Sequence, residues 1–262
     1  MENQAIEEAA RTIWSTWQAN RRIDALPAAC RPATRTEAYR VQEQVARLST
    51  QKTFGWKIAA TSLAGQKHIG VDGPLAGRLL EKRVFQSGAN VSLANNRMNV
   101  IEAEFAFRMA RDLPPRKAPY SLEEVVAAVA SMHPAIEIPD SRYEEFVSVG
   151  AAQLIADNAC AGYFVLGPEI VVEWRRHNLA RHRIAVSVNG KLARDGIGEN
   201  VLGDPRIALA WIANELSLVG DMLRSGETIT TGTCIVPAEV VPGDHVVADF
   251  GAFGRVEARL VA

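Results

Sequence analysis

The spacing of apolar residues changes along this chain. Over residues 4–19, Ile6, Ala10, Ile13, Trp14 and Trp17 recur near the helical period and predict an amphipathic helix. Thr34-Arg35-Thr36-Glu37 matches a capping box and opens a second helix to about residue 48. The link between them, Leu26 to Pro32, carries Pro and Ala. From Thr53 the texture becomes strand-like. Residues 54–59, 78–85 and 99–109 read as strands, with a short helix from Ser62 to His68 stopped by Gly70. Ser121-Leu122-Glu123-Glu124 is a second capping box, whose helix is predicted to reach about Met132, before a strand around 134–138. Asn189-Gly190, between apolar alternating runs, suits a type I′ hairpin turn. Pro205 sits at the start of a helix over 206–218. Strands from Glu227 to Val261 are broken at Pro242-Gly243-Asp244 and at Gly251 to Gly254. There is no internal repeat and no βαβ unit with a glycine-rich phosphate loop. The pattern predicts an α+β protein, with a helical region at 1–52 and a β-rich body at 53–262.

One strand breaks the usual rule for carboxylates. In Val100 to Phe107, Ile101, Ala103, Phe105 and Phe107 share one face, and Glu102 and Glu104 share the other. Side chains two apart on a strand lie about 7 Å apart along the backbone. A third glutamate, Glu137, is flanked by Ile136, Ile138 and two prolines. A solvated face is the ordinary reading of Glu-x-Glu. The apolar surroundings argue against it, because an unpaired carboxylate there is costly. A cation removes the penalty, and hard oxygen ligands suit Mg²⁺, Mn²⁺ or Ca²⁺.

Bulk properties exclude several classes. The chain has 262 residues, 48% of them hydrophobic, and a net charge of −1 with no long block of like charge. That is enough to bury a substantial core, and it lacks the basic footprint of a nucleic-acid binder. No apolar run approaches the roughly 20 residues of a membrane helix, and the acids Glu2, Glu7 and Glu8 do not suit a signal peptide. Cys30, Cys160 and Cys234 fit neither a disulfide framework nor a zinc spacing. Reduced thiols in the cytoplasm are the plain reading.

Other candidates have two readings each. Lys57, in Gly55-Trp56-Lys57-Ile58, is either a snorkelling surface lysine or a group that orients an acidic substrate or moves a proton. Thr61 and Ser62 at that strand's end donate to substrate oxygens or cap the next helix. Asn158, in Ala156-Asp157-Asn158-Ala159, positions a substrate or closes a turn. Thr231 and Gly232 allow close approach of a ligand or form a tight turn, the turn being simpler. The histidines show no catalytic or metal spacing.

The segments containing Lys57, Glu102 and Glu104, Glu137 and Asn158, followed by Val201-Leu202-Gly203-Asp204-Pro205 and Pro242-Gly243-Asp244, occur in a specific order. In that order the chain resembles the 2-keto-4-pentenoate hydratase / 4-oxalocrotonate decarboxylase family, within the fumarylacetoacetate hydrolase superfamily. The likeness covers about residue 36 to the C-terminus. It implies a β-rich fold of mixed roll or barrel type with an N-terminal helical region. It implies Mg²⁺ or Mn²⁺ on Glu102, Glu104 and Glu137, with Lys57 as the family lysine. It also implies a homo-oligomer, and a possible complex with a family hydratase or decarboxylase. The substrate would be a small 2-oxo or 2-hydroxydienoic acid from aromatic catabolism. Its 1-carboxylate and 2-oxygen would be chelated, and water would add at C4.

The chain departs from that family at one point. Hydratases of this kind usually carry an aspartate in Pro-Asp-x-Gly after the lysine strand. Here the segment reads Pro74-Leu75-Ala76-Gly77. Decarboxylase members have an aliphatic residue there, and Asp140-Ser141-Arg142-Tyr143 resembles them as well. The family serine is Cys160 here. Hydratase is the first expectation and decarboxylase the alternative. An acylpyruvate-type hydrolase and a non-catalytic metal-binding partner are further alternatives.

Overall fold

The computed structural model describes residues Met1–Ala262. Helices α1 (Asn3–Gln18) and α2 (Arg35–Ser49) pack against each other. The stripe predicted for α1 is the buried one, through Ile6, Ala9, Ala10, Ile13 and Trp17. The capping box at Thr34 and Glu37 is formed, and α2 ends at Thr50 in the left-handed region.

The body follows as β1 (Thr53–Ala59), α3 (Leu63–His68), β2 (Leu75–Leu80), β3 (Val84–Gln86), β4 (Asn90–Ser92) and β5 (Val100–Met109). Then come α4 (Leu122–Val126), β6 (Val129–Ile138), α5 (Ala151–Ala156), β7 (Tyr163–Leu166), β8 (Arg183–Val188) and β9 (Lys191–Ile197). The chain closes with α6 (Pro205–Leu218), β10 (Thr228–Thr233), β11 (Ala238–Glu239), β12 (His245–Asp249) and β13 (Arg255–Val261). An eight-stranded sheet runs β2-β1-β10-β5-β6-β7-β3, with β11 added to β5. A five-stranded sheet runs β4-β13-β12-β8-β9. Strands and helices are interspersed around shared cores, which is the α+β class. No helix is long and apolar enough to cross a membrane.

The main core takes residues from α1 and α2 as well as from both sheets, so residues 1–52 and 53–262 share it. A small second cluster, Leu79, Ala106, Ala135 and Phe164, lies apart. Strand alternation puts Ala106 on the Glu104 face of β5, and Ala135 on the Glu137 face of β6. This small cluster therefore borders the glutamates on their own face of the sheet.

Two local expectations are corrected. The helix predicted to reach Met132 stops at Val126, because β6 starts at Val129 and pairs with β5 through Met109↔Val129 and Phe107↔Met132. Sheet pairing overrides the local helix signal there. The strand expected over 78–85 is two strands, separated by a 3₁₀ turn at Glu81–Arg83. The Glu81 amide donates to the Lys52 carbonyl, and the Lys82 amide to the Gln51 side chain, which turns the chain out of the sheet.

Parallel pairing of β1 with β10 sets Gly55 against Thr228. A Cβ on Gly55 would lie 1.8 Å from the Thr228 carbonyl oxygen, whereas one on Gly73 would meet nothing within 4 Å. Gly55→Ala is expected to cost at least about 3 kcal/mol, as severe overpacking does. Gly73→Ala should stay within about 0.5 kcal/mol of the parent. Urea denaturation of the two variants checks this, and equal midpoints would refute the close-approach account.

Candidate active site

Antiparallel pairing of β5 and β6 sets Glu102 directly opposite Glu137, and Glu104 opposite Ala135. One carboxylate oxygen from each of Glu102, Glu104 and Glu137 lies within 4.8 Å of the others. Glu104 and Glu137 have no exposed surface, and Glu102 is half-buried. Three carboxylates in such a space repel one another and forgo hydration. Burial raises all three above the ordinary carboxylate range, and Glu102, which also feels the charge of Glu137, is pushed up to about 7.

Neighbouring strands supply the partners. Lys57 on β1 is buried, with Nζ 3.1 Å from Glu137 Oε1. The ammonium donates to the Ala159 carbonyl at 2.9 Å. Burial alone would lower its pKa, but Glu137, Glu102 and Glu104 outweigh burial and raise it. With those carboxylates unneutralised, Lys57 holds its proton and stands as a cation rather than a base. On β10, the Thr230 hydroxyl and the Gly232 amide both donate to Glu104 Oε2, the latter at 2.8 Å. The register of β10 against β5 slips between Thr230 and Thr233, and Gly232 sits at φ +96° within the slip. That bulge aims two donors at one oxygen. Glu104 Oε1 and Glu137 Oε2 keep no hydrogen-bond partner, and Glu137 Oε1 has only the Lys57 ammonium beside it. Buried acceptors without donors, on hard oxygen ligands around one point, fit a divalent cation.

The carbonyl that holds Lys57 belongs to an unusual segment. Asn158, Ala159 and Cys160 all have positive φ, at 59°, 50° and 59°. Each such non-glycine residue costs on the order of 1–3 kcal/mol where the surroundings enforce it. They are enforced here from both sides. Asn158 accepts from the Arg78 amide at 2.7 Å and donates to the Arg78 carbonyl at 2.8 Å, so its side chain pairs with β2 like a strand. Asp157 forms a buried ion pair with Arg142 and accepts from the Ser141 hydroxyl. Gly77 lets this arch approach, since a Cβ there would lie 2.1 Å from the Asn158 carbonyl oxygen.

The residues read from the sequence as substrate contacts largely make hydrogen bonds within the protein. Asn158 spends both side-chain groups on Arg78. Ser62 accepts from the Gly65 amide as the cap of α3. Thr231 points to the far face and donates to the Phe105 carbonyl at 3.0 Å. The Gly232 amide is taken by Glu104. Thr61 is buried beside Gly232, where a Cβ would come within 2.2 Å of its hydroxyl oxygen. Thr230 and the Ala159 carbonyl were not singled out by the sequence. The clue to Thr230 was its alternation with Gly232 on one strand, but nothing in the sequence discloses a main-chain carbonyl.

Leu75 pairs with Ala59, and Gly77 pairs with Lys57, so Leu75 lies on the lysine side of the sheet and is fully buried. Asp72 is exposed and no substitute. The Cys160 thiol is buried and pushed up to about 12, by burial first and then by Asp157, which disqualifies it as a nucleophile. His133 bonds Ser131 and the Gly167 carbonyl with its two ring nitrogens and is a structural residue.

A buried lysine and three clustered glutamates across β1, β5 and β6 form a carboxylate-rich site of the fumarylacetoacetate hydrolase type. Residues 74–261 match the fumarylacetoacetate (FAA) hydrolase C-terminal family model, and the chain belongs to that family. It is 30% identical over 263 residues to a 2-keto-4-pentenoate hydratase of Paraburkholderia xenovorans (strain LB400), covering 98% of this chain and 95% of the relative. It is 29% identical over 231 residues to a 4-oxalocrotonate decarboxylase of Pseudomonas putida, covering 87% and 86%. Among solved structures it is similar to 4-oxalocrotonate decarboxylase from Pseudomonas putida G7, complexed with magnesium and adipate. That similarity has a TM-score of 0.90 at 27% identity and covers 100% of this chain and 99% of the other.

The glutamate pKa values carry a sign for stability. Glu102 rises from 4.5 to about 7 on folding, so between those pH values the folded protein binds more protons than the unfolded chain. The metal-free protein should therefore lose stability as pH rises through this window. Mg²⁺ should restore it, since it binds the deprotonated site of the folded state. Denaturation midpoints in EDTA across pH 5–8, with and without Mg²⁺, test the sign. A midpoint that climbs with pH in EDTA would refute it.

Proposed function

We propose that the chain is a divalent-metal-dependent lyase that adds water to a 2-hydroxy-2,4-dienoate, giving a 4-hydroxy-2-oxo acid in aromatic catabolism. The observation that carries the reading is the juxtaposition of Lys57 with three glutamates, two of them fully buried, whose oxygens cluster within 4.8 Å. Glu102, Glu104 and Glu137 would hold Mg²⁺ or Mn²⁺. When bound, such a cation supplies Lewis-acid polarisation of a chelated 2-oxo acid and neutralises the carboxylates.

The protein's own groups do the rest. Thr230 and Gly232 fix Glu104 Oε2 and leave Oε1 as the ligand atom. Lys57, held by Glu137 and the Ala159 carbonyl, would give its Nζ proton to C5 of the dienol and take up the enol O–H proton in return, leaving the 2-oxo-3-enoate to which water adds at C4. Thr61 is the substrate contact we retain, its position beside Gly232 placing it next to the Glu104 end of the site. The apolar cluster of Leu79, Ala106, Ala135 and Phe164, beside the carboxylates on the same face, keeps water from one flank of the site. A relative named hydratase matches 98% of the chain at 30% identity, which favours hydration. A homo-oligomer in the cytoplasm suits three free cysteines and exposed apolar residues such as Val171 and Leu218.

A second reading, decarboxylation of a 2-oxo-3-enedioate, is favoured by Leu75. An aliphatic side chain on the lysine side of the sheet removes an acid that hydration would use, while loss of carbon dioxide from a 2-oxo-3-enedioate needs less acid–base apparatus from the protein. Incubation with Mg²⁺ and either 2-hydroxypenta-2,4-dienoate or 2-oxo-3-hexenedioate separates the readings. Ultraviolet loss from the dienoate without carbon dioxide is the expected outcome. Carbon dioxide released from the enedioate alone would replace hydration by the second reading, and inertness toward both would sink the two together. Leu75→Asp should raise hydration severalfold. By calorimetry, Glu102→Gln should weaken Mg²⁺ at least about tenfold, as loss of one ligand charge does.

A further inference from the structure

A second group of charges lies on the other side of the eight-stranded sheet. Phe164 pairs with Glu137, so Tyr163, its neighbour on β7, points to the opposite face. There Arg22, Arg83 and Arg142 gather with Asp140 and Asp157. Arg142 is paired with Asp157 and donates to the Ala161 carbonyl. Arg22 is paired with Asp140 at 2.5 Å, and the other Asp140 oxygen accepts from the Arg97 amide. Both aspartates are thereby spent.

Arg83 has no carboxylate or carbonyl partner. Its guanidinium sits 4.4 Å from the Trp17 ring centroid and 5.1 Å from that of Tyr163. Stacking holds the plane of the fork, and its edge of N–H donors has only the Tyr163 hydroxyl oxygen beside it, with no anionic acceptor. Three guanidinium groups face two carboxylates, so the group is one negative charge short. Burial pulls the Arg83 pKa below the ordinary guanidinium range, which marks a cation stripped of water without full compensation.

The donors border a cavity of about 40 Å³ between α1, the turn at Glu81–Arg83 and β7, which Arg22, Arg83, Asn95 and Tyr163 line. The Tyr163 O–H has no acceptor. Asn95 accepts from Asn20 at its Oδ1, and its amide N–H groups have no acceptor. Such a space takes roughly three water-sized groups. We propose that this cavity is a binding site for a small monoanion of the carboxylate class, acetate or bicarbonate in size, held on the Arg83 fork with the Tyr163 hydroxyl and the Asn95 amide as further donors. A planar two-oxygen anion matches the fork bidentately and supplies the missing charge. A bound anion would also tie α1, through Trp17, to β7.

The test is a titration of the full-length protein, with Mg²⁺ present, by sodium acetate and separately by bicarbonate at fixed pH and ionic strength. Tryptophan emission reports binding at Trp17, and Trp17→Phe identifies that signal. Saturation by either anion is expected, with the affinity reduced at least about tenfold in Arg83→Gln, the scale of a lost charge-assisted pair. Tyr163→Phe, which keeps the ring and the charge, should weaken binding by a smaller factor. A linear response to both anions overturns the site. So does saturation with parent affinity in both Arg83→Gln and Tyr163→Phe, which would assign the response to the glutamate cluster.

Discussion

Mutual repulsion of Glu102, Glu104 and Glu137 inside a folded sheet is the constraint around which the neighbouring strands are arranged. Two of these carboxylates have no exposed surface, and pairing of β5 with β6 sets the third opposite one of them. A sheet built for stability alone would place apolar residues there. The surrounding parts moderate the repulsion without abolishing it. Lys57 supplies one positive charge, and Thr230 and Gly232 satisfy one oxygen of Glu104. The remaining charge and the remaining oxygens are what make the place a site rather than a satisfied core.

The lysine is held with equal care. Its partner carbonyl is presented by three successive left-handed residues, an arrangement that L-amino acids resist. Asn158 against Arg78 and Asp157 against Arg142 hold the start of the arch, and Arg142 also donates to the Ala161 carbonyl just past its end. The polar residues around the arch thus serve the backbone, and the backbone serves the lysine. This hierarchy explains why Asn158 carries a motif without being available to a small molecule.

Much of the site was legible in the sequence because carboxylates in apolar strands violate a simple pattern. Glu102, Glu104, Glu137 and Lys57 each stood out by their neighbours, and the sheet register brings them together. The helical region, both capping boxes and the α+β class followed from periodicity and end signals. The misread parts depended on partners distant in sequence. Val129 to Ser131 looked helical until pairing with β5 claimed them, and Thr231 looked like a contact until the β10 bulge turned Thr230 inward instead. Donors and acceptors for Asn158, Ser62 and Gly232 lie in the main chain, which a pattern of side chains does not reveal.

The parallel pairing of β1 with β10 also governs when the site can exist. Lys57 and Thr230 are register partners, although almost the whole body of the protein separates them in the chain. Until β10 arrives, β5 has an open edge, Glu104 has neither of its donors, and β1 lacks its inner neighbour. On the ribosome the glutamates and the lysine are therefore made early and must wait, charged and incompletely paired, for a strand near the C-terminus. Non-local parallel pairing is slow and leaves such edges open to other chains. Assembly of this centre therefore waits on β10, and until that strand is made the edge of β5 stays open to other chains.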